Sequence, residues 1–366
     1  DPNTMRSMST RAGGALVAAT VVLLGSAPAS GLRVGTATQR TASAMRSGVV
    51  LSVAPAAETT YEFPAWLPES IGLVTEPAAL RMASRLQTRD VDAGDIAEGS
   101  IRTSFYRTPG GGDASDPVLL LHGFDSSCLE WRRLVPLLED QGVEVVAVDL
   151  LGWGFTSREG VRDFSAAAKC RHLAAFVEQE IGRRVTLVGT SLGAAFAVQL
   201  AAERPDEISR LCLVDPQVLV DGVGPVGLLP RPLAKAGIDV LASKWLRNMA
   251  NKMSYADPDT FATDDAMQVG RLPVACPRWN DGNLEYMLSG GIGVTKLLPK
   301  LADRESLLVW GRQDGIVPPE ESAPALQDAL PKARLVYVED CGHVPHLEQP
   351  QQLANILAEF DHGTGQ

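Results

Sequence analysis

The sequence has few of the features that mark several common classes of protein. Its five cysteines form no CxxC pair and show no regular spacing, which argues against a disulfide framework and favours a reducing compartment. Cysteines, histidines and acidic residues nowhere show the spacing of metal ligands, so we expect no metal and no other cofactor. Basic residues are outnumbered by acidic ones, 33 to 44, and this acidic balance argues against nucleic-acid binding.

Acidic residues are also absent from Met5 to Ala57, a stretch that contains five arginines. Its apolar run, residues 12–27, is shorter than the ~20 residues of a membrane-spanning helix and has the flanks of a secretory signal. The Ala-, Ser-, Thr- and Arg-rich residues that follow are typical of an organelle transit peptide. We therefore predict that residues 1–60 are a targeting leader outside the fold that directs the protein to a plastid, with secretion as the alternative.

From about Ile101 onward, short apolar runs alternate with longer segments of helical periodicity. The predicted strands are residues 117–121, 143–150, 184–190, 208–214, 307–310 and 333–338. The predicted helices are residues 129–140, 166–181, 192–204, 320–330 and 351–360. Repeated strand–helix units of this kind predict an α/β fold with a mostly parallel central sheet and helices on both faces.

One segment, residues 218–301, breaks this alternation with prolines, glycines and apolar stretches. We predict that it is a mainly helical insertion, which divides the α/β core into residues 61–217 and 302–366. Ligands of open α/β sheets bind at the carboxyl edge of the strands, so an insertion at that edge would form a lid.

The motif that carries chemistry is Gly189-Thr190-Ser191-Leu192-Gly193, which matches G-x-S-x-G. It follows a predicted strand and precedes a predicted helix, the context in which this motif presents a nucleophilic serine on a sharp turn. The start of the helix would direct free amides towards an oxyanion formed beside the serine. We therefore predict Ser191 as the nucleophile.

A serine hydroxyl needs a base to take its proton, and the base needs an orienting acceptor. Asp314 follows the predicted strand 307–310 and His343 follows the predicted strand 333–338, in the chain order Ser, Asp, His. Both residues would lie at the same sheet edge as Ser191. We predict Asp314 as the acid and His343 as the base.

Other residues offer alternatives to these two. Asp215, at the end of the predicted strand 208–214, could replace Asp314, and His346 could replace His343. The remaining candidates, His172 in a predicted helix and His362 near the C-terminus, are expected at the surface.

The segment Leu121-His122-Gly123-Phe124-Asp125 follows the first predicted strand of the core. The amides of Phe124 and Leu192 are predicted to form the oxyanion hole, and His122 is predicted to brace this loop by hydrogen bonds. For Asp125 two roles stay open, contact with the substrate or stabilisation of the loop.

Four segments, residues 122–132, 149–155, 189–195 and 341–346, resemble the plastid α/β-hydrolases of plants and algae (the AB hydrolase-1 family) with a serine nucleophile. Residues 270–273 and 289–291 are similar too, and the resemblance spans about residues 100 to 361. It implies an α/β-hydrolase fold with a lid and a catalytic triad. The substrate contacts predicted within these segments are Asp125, Trp131, Trp153 and Val344.

The same superfamily includes epoxide hydrolases and haloalkane dehalogenases, which use an aspartate nucleophile. Ser191 departs from that pattern, so the tyrosines Tyr255 and Tyr286 of the predicted lid are weak grounds for epoxide chemistry.

We therefore expect an esterase or lipase that cleaves a small-molecule carboxylic ester through an acyl-enzyme. The apolar residues 223–229 and 233–246 would suit an acyl or isoprenoid pocket and a loose contact of the lid with lipid. Galactolipids, phytyl esters and carotenoid esters are candidate plastid substrates, and no obligate protein partner is expected. The alternatives are a small-molecule receptor with the hydrolase fold, or a C–C or thioester hydrolase that uses the same triad.

Overall fold

The computed structural model of the protein describes residues 60–109 and 116–361. All but the last residue of the predicted leader (1–60) lie outside these ranges, as does His362. Among the described residues, no helix is both long and apolar enough to cross a membrane.

Eight strands form one sheet in the order β1-β2-β4-β3-β5-β6-β7-β8. The strands are β1 (Gln87–Val91), β2 (Ile101–Arg107), β3 (Val118–Leu121), β4 (Val145–Val148), β5 (Val185–Thr190), β6 (Ile208–Val214), β7 (Ser306–Gly311) and β8 (Ala333–Val338). The pairs β1–β2 and β2–β4 are antiparallel, and every other pair is parallel. The predicted mostly parallel sheet is therefore confirmed, with an antiparallel edge that the strand–helix pattern did not indicate.

Twelve α-helices accompany the sheet in the described residues. They are α1 (Pro77–Ala83), α2 (Val135–Asp140), α3 (Ala166–Phe176), α4 (Leu192–Glu203), α5 (Arg231–Leu241), α6 (Lys244–Met253), α7 (Pro258–Phe261), α8 (Asp264–Arg271), α9 (Trp279–Leu288), α10 (Pro319–Ala329), α11 (Pro345–Glu348) and α12 (Pro350–Asp361). Short 3-10 helices span Glu69–Leu73, Gly94–Ile96, Cys128–Trp131, Pro205–Glu207, Gly224–Leu228, Leu272–Ala275 and Thr295–Leu301, and a π turn, Val177–Ile181, extends α3.

Both faces of the sheet are buried, which explains why its central strands are apolar throughout. Side chains alternate along β3: Leu119 and Leu121 pack into one hydrophobic core together with Phe196 of α4. Leu120 packs into a second core on the opposite face together with Leu357 of α12. The strand is therefore sandwiched between two helical layers, as the unbroken apolar run predicts.

Two local predictions are wrong. The helix predicted over residues 129–140 is divided into the 3-10 helix Cys128–Trp131 and α2, because Pro136 lacks an amide hydrogen and is accommodated in a first helical turn. His172, predicted at the surface, is buried, and its Nε2 lies 2.7 Å from Oγ1 of Thr103. Burial, followed by the nearby Lys169, lowers the pKa of His172 to about 3.

The segment between β6 and β7 contains helices α5 to α9, and the described residues from 215 to 305 include no strand. This segment lies over the carboxyl edge of the sheet. Its helix α9 packs so closely on the loop after β4 that a Cβ on Gly282 would lie 2.4 Å from the carbonyl oxygen of Gly152. We refer to residues 218–301 as the insertion.

Helix α4 approaches the sheet equally closely at its first turn. A Cβ on Gly193 would lie 2.4 Å from the carbonyl oxygen of Leu121 at the end of β3 and 2.5 Å from that of His122. A Cβ on Gly189 would lie 2.5 Å from the carbonyl oxygen of Gly193. The two glycines of the G-x-S-x-G motif therefore allow β5, α4 and the loop after β3 to meet around the residue between them.

This contact predicts a large and specific effect of Gly193→Ala. The added methyl group would overlap backbone oxygens that cannot move independently, so the free energy of unfolding should fall by about 2–3 kcal/mol or more. Gly237→Ala is the matched control, because Gly237 lies in α5 and a methyl group added there would have no atom within 4 Å. Urea denaturation should show Gly237→Ala neutral or stabilising by up to about 1 kcal/mol. Equal effects of the two changes would contradict the close contact.

Candidate active site

Ser191 lies on the turn that joins β5 to α4. Its backbone has φ +50° and ψ −121°, a strained combination for a residue with a side chain. The amide of Ser191 donates to the carbonyl oxygen of Val214 at 2.9 Å, which ties the turn to the end of β6. The side chain is therefore held at the sheet edge, at the start of a helix.

Three side chains predicted from separate parts of the sequence meet at this edge. Nε2 of His343 lies 2.9 Å from Oγ of Ser191, and Nδ1 of His343 lies 2.7 Å from Oδ2 of Asp314. These bonds are satisfied together when Nδ1–H donates to the carboxylate and Nε2 accepts from the hydroxyl. His343 and Asp314 are almost fully buried.

His343 and Asp314 each shift the pKa of the other. Burial lowers the pKa of His343, but the carboxylate of Asp314 raises it by more, so the pKa lies above its ordinary value. Burial raises the pKa of Asp314, but the opposing effects of His343 and of the amides of Val317 and Ile316 keep it below its ordinary value. Asp314 is therefore present as a carboxylate, and its negative charge stabilises the protonated form of His343.

Asp215, the alternative acid, lies next to this series but does not contact His343 by a hydrogen bond. Its Oδ1 accepts from the amide of Gly311 at 2.8 Å, and its Oδ2 has no donor among the described residues. Burial, followed by the charge of Asp314, raises the pKa of Asp215 well above its ordinary value. A protonated Asp215 can donate a hydrogen bond to Asp314 and so support the neighbouring carboxylate.

The described residues contain one group whose side chains could jointly hold a metal ion. Ligand atoms of Asp215, Asp314 and His343 all lie within 4.8 Å of one another. Two of these residues already form the hydrogen bond described above, so the arrangement is accounted for by the pairing of His343 with Asp314.

The loop after β3 lies directly against Ser191, since a Cβ on Gly123 would be 3.5 Å from Cβ of Ser191. His122 is buried, with Nδ1 2.8 Å from the carbonyl oxygen of Gly123 and Nε2 accepting from the amide of Leu150 at 3.1 Å. This pair of bonds fixes the loop that carries Phe124, as the brace predicted for His122 requires.

Glu130 holds the same loop from the other side, and the sequence pattern contains no indication of this role. Its Oε2 accepts from the amide of Gly123 at 3.1 Å, and its Oε1 lies 3.0 Å from Nε2 of His346. Burial raises the pKa of Glu130, but the hydrogen bond and charge of His346 prevail and lower it to about 2. His346 therefore pairs with Glu130, whereas His343 faces Ser191.

Asp125 joins the loop to the insertion. Its carboxylate accepts from Nε1 of Trp279 at 2.7 Å and from Nδ2 of Asn283 at 2.9 Å, both on α9, and it also pairs with the guanidinium of Arg247 on α6. Its side chain is 4% exposed. Of the two roles left open by the sequence, stabilisation of the loop is the one that these contacts favour. Sequence alone could not show this, because the partners lie more than 120 residues away along the chain.

Two of the predicted substrate contacts need correction. Trp131 and Trp153 are fully buried and present no surface to a ligand. Trp153 packs against Phe124, with ring centroids 5.3 Å apart, and its Nε1 donates to Oδ1 of Asn283 at 3.0 Å. Trp131 packs against His346, with ring centroids 4.7 Å apart. Both tryptophans instead pack beneath the loops around Ser191. The prediction failed because a bulky apolar side chain near a motif can equally belong to the hydrophobic core.

A cavity of about 120 Å³ lies between the loop after β3, the loop after β8 and the insertion. Val344, the fourth predicted substrate contact, lines it beside Leu347, facing Tyr255 and Val269 of the insertion. Half of the lining residues are polar: Ser126, Ser127, Glu130, Arg132, Asn251 and Ser254. Ser191 is not among its lining residues, so the cavity lies to one side of the candidate nucleophile.

Comparison with known proteins agrees with this architecture. Residues 118–356 match the alpha/beta hydrolase family, and the chain belongs to it. The chain is 36% identical over 303 residues to an alpha/beta hydrolase domain-containing protein, VTE7, of Arabidopsis thaliana, covering 82% of this chain and 91% of that protein. It is 25% identical to Lipase 3 of Moraxella sp., over 68% of this chain and 78% of the lipase.

A thermophilic esterase from Thermogutta terrifontis is similar in structure. The TM-score is 0.62 at 23% identity, over 76% of this chain and all of that one. At this level of identity the likeness concerns the fold, and it confirms the predicted α/β-hydrolase fold.

The raised pKa of His343 predicts the pH dependence of any reaction that uses it as a base. Only neutral imidazole can accept the Ser191 proton, so activity should be lost as the pH falls through a value above 6.5, the ordinary pKa of histidine. The pH profile of kcat/KM for a p-nitrophenyl ester measures this midpoint. Asp314→Asn should move the midpoint of the residual activity to lower pH. A wild-type midpoint below 6.5 would contradict the pairing.

The contacts of Asp125 predict that Asp125→Ala is costly. Two buried donors, on Trp279 and Asn283, and the half-buried guanidinium of Arg247 would lose their acceptor. The free energy of unfolding should therefore fall by about 2–4 kcal/mol, and kcat should fall as the loop loosens. Asp239→Ala removes a carboxylate of the same insertion that pairs with Lys235 at the surface, and it should cost less than about 1 kcal/mol. Urea denaturation compares the two, and similar losses would argue against the buried network.

Proposed function

The chain is a hydrolase of the alpha/beta hydrolase family, and we propose that it cleaves carboxylic esters through a covalent acyl-enzyme. The observation that carries this proposal is the series of hydrogen bonds from Ser191 through His343 to Asp314, at 2.9 and 2.7 Å. Oγ of Ser191 attacks the ester carbonyl carbon while Nε2 of His343 takes its proton. Asp314 holds the imidazole ring in place and stabilises its protonated form.

The negative charge that develops on the carbonyl oxygen needs hydrogen-bond donors in fixed positions. The amide of Leu192 is in the first turn of α4, where amides have no acceptor within the helix. The amide of Phe124 follows Gly123, which lies against Ser191. We propose these two amides as the oxyanion hole, where a single donor contributes about 3 kcal/mol to lowering the barrier.

Two further steps, release of the alcohol and hydrolysis of the acyl-enzyme, complete the proposed cycle. The tetrahedral intermediate breaks the bond to the alcohol, which leaves with the proton held by His343. A water molecule then attacks the acyl-enzyme while His343 again accepts a proton. Collapse of the second tetrahedral intermediate breaks the bond to Oγ of Ser191, which takes the proton from His343, and releases the carboxylic acid. No group beyond Ser191, His343, Asp314 and water is required to balance these steps.

We propose that the ester is apolar and that the insertion acts as its lid. One side of the cavity described above is apolar, with Val344, Leu347 and Tyr255 in its lining, and this side supports the binding of an apolar portion of a substrate. Among the similar proteins are one named a lipase and one named an esterase. The plastid remains the proposed location, on the composition of residues 1–60 and the likeness to a plant protein.

A fluorophosphonate probe tests the proposed nucleophile. The probe reacts with a serine activated by a neighbouring base, so wild-type protein should be labelled and Ser191→Ala should not. Ser126→Ala is the matched control, since this serine lines the neighbouring cavity without contacting His343, and it should be labelled like wild type. Folded wild-type protein that remains unlabelled, or Ser191→Ala that is labelled equally, would refute the role of Ser191.

The chain-length preference for p-nitrophenyl esters tests the proposed substrate class. An apolar pocket should give a higher kcat/KM for acyl chains of about eight or more carbons than for acetate, by roughly tenfold or more, because each buried methylene stabilises the bound state by ~0.8 kcal/mol. Labelling without any ester turnover would instead favour the receptor or the C–C hydrolase alternative.

A further inference from the structure

Large apolar side chains that point to solvent are concentrated in one short part of the chain. The described residues contain six exposed large hydrophobic side chains, and five of them lie within residues 228–253 of the insertion. These five are Leu228, Leu233, Val240, Trp245 and Met253. The sixth, Leu73, lies near the N-terminal end of the described region. Soluble proteins rarely concentrate exposed apolar surface in this way without a binding function.

Helical geometry places these side chains on the outer side of the insertion. On α5, Leu233 and Val240 are seven residues apart and share a face, while Ala234 and Ile238 are buried together with Trp279 of α9. On α6, Trp245 and Met253 are eight residues apart, within about 80° of each other around the helix axis. Helix α5 therefore has one apolar side that packs inward and a second one that faces solvent. On α6, Trp245 faces solvent, and Met253 is exposed at the C-terminal end of the helix, although it projects in nearly the same direction as the buried Leu246.

The same residues carry a charge opposite to that of the whole protein. Residues 228–253 contain five basic residues and one acidic residue, a net charge of +4, whereas the chain as a whole carries −11. Arg247 faces inward to Asp125, and the remaining basic side chains (Arg231, Lys235, Lys244 and Lys252) are exposed. Arg231 pairs with Glu285 and Lys235 pairs with Asp239 at the surface, so the positive charge beside the exposed apolar side chains rests mainly on Lys244 and Lys252 of α6.

We propose that this outer face of α5 and α6, together with Leu228, docks on the surface of an anionic lipid membrane. We call it the docking face. Helices that lie on such membranes insert apolar side chains, often including a tryptophan, into the lipid headgroup region. Flanking lysines then contact the anionic headgroups. A second copy of this chain is a poorer fit, because outside residues 228–253 the described residues expose only one other large hydrophobic side chain, Leu73, against which the face could pack.

The docking face is connected to the candidate site through α6. Trp245 and Arg247 are two residues apart, which is about 200° around the helix axis, so they project to nearly opposite sides. Trp245 faces solvent, and Arg247 pairs with Asp125 beside Phe124. Docking would therefore position the membrane against the same helix that holds the candidate oxyanion loop. The inference concerns a surface and does not depend on the ester chemistry proposed above.

Co-sedimentation with vesicles tests this surface on the full chain. Wild-type protein should bind vesicles of phosphatidylcholine and phosphatidylglycerol more tightly than vesicles of phosphatidylcholine alone, and salt should weaken this binding. Trp245→Asp and Leu233→Asp should each weaken it by roughly tenfold or more, the loss expected for one large apolar side chain. The double change Lys244→Glu and Lys252→Glu should remove the preference for anionic vesicles. Leu73→Asp, which alters an equally exposed leucine elsewhere, should bind like wild type.

The fluorescence of Trp245 separates docking through this face from attachment through residues 1–59. Trp245 is 60% exposed, and the other five tryptophans are buried or half-buried. Vesicles with brominated lipid chains should therefore quench wild-type emission but not that of Trp245→Phe. Each variant should keep the wild-type circular dichroism spectrum and the wild-type midpoint of urea denaturation, which shows that it is folded.

Three results would overturn the proposal. The first is bound wild-type protein whose Trp245 emission is not quenched. The second is equal binding by Trp245→Asp and Leu73→Asp. The third is a stable dimer in sedimentation that Trp245→Asp dissociates, because the face would then be an interface between two copies of the chain.

Discussion

Three backbone carbonyl oxygens approach Gly189 and Gly193 so closely that neither position has room for a side chain. The geometry around Ser191 depends on this close backbone contact. The contact brings the end of β3, the end of β5 and the first turn of α4 together within a few ångströms. As a consequence, Ser191 takes a strained backbone conformation and Gly123 lies against its side chain. Strain of this kind persists only where surrounding packing enforces it, and here two buried cores hold the strands and α4 in place.

Around this turn, the supporting groups are buried acids with defined partners. Asp314 orients His343, Glu130 holds the loop after β3 through Gly123, and Asp125 ties that loop to the insertion. Each carboxylate pairs with a cation or with several N–H donors, and these partners offset the free-energy cost of burying it. The insertion is thus part of the candidate site, because Arg247, Trp279 and Asn283 all contact the residue that follows Phe124.

The sequence predicted those features that rest on local patterns. Strand positions, the turn at Ser191 and the order of Asp314 and His343 follow from apolar periodicity and from a motif with a known structural context. It did not predict β1 and β2, whose antiparallel pairing leaves no strand–helix signature, nor the partners of Asp125. Trp131 and Trp153 show the same limit, because proximity to a motif does not indicate whether a side chain faces a ligand or the core.

The central claim is that Ser191 becomes acylated during turnover, and the most direct test is to isolate that intermediate. Wild-type protein mixed with a p-nitrophenyl ester and quenched in acid within milliseconds should gain the mass of the acyl group. Peptide mapping should place that group on the fragment that contains Ser191, and the released p-nitrophenol should show a burst that matches the amount of enzyme. An acyl group found on another residue, or ester turnover that persists in Ser191→Ala, would contradict the account.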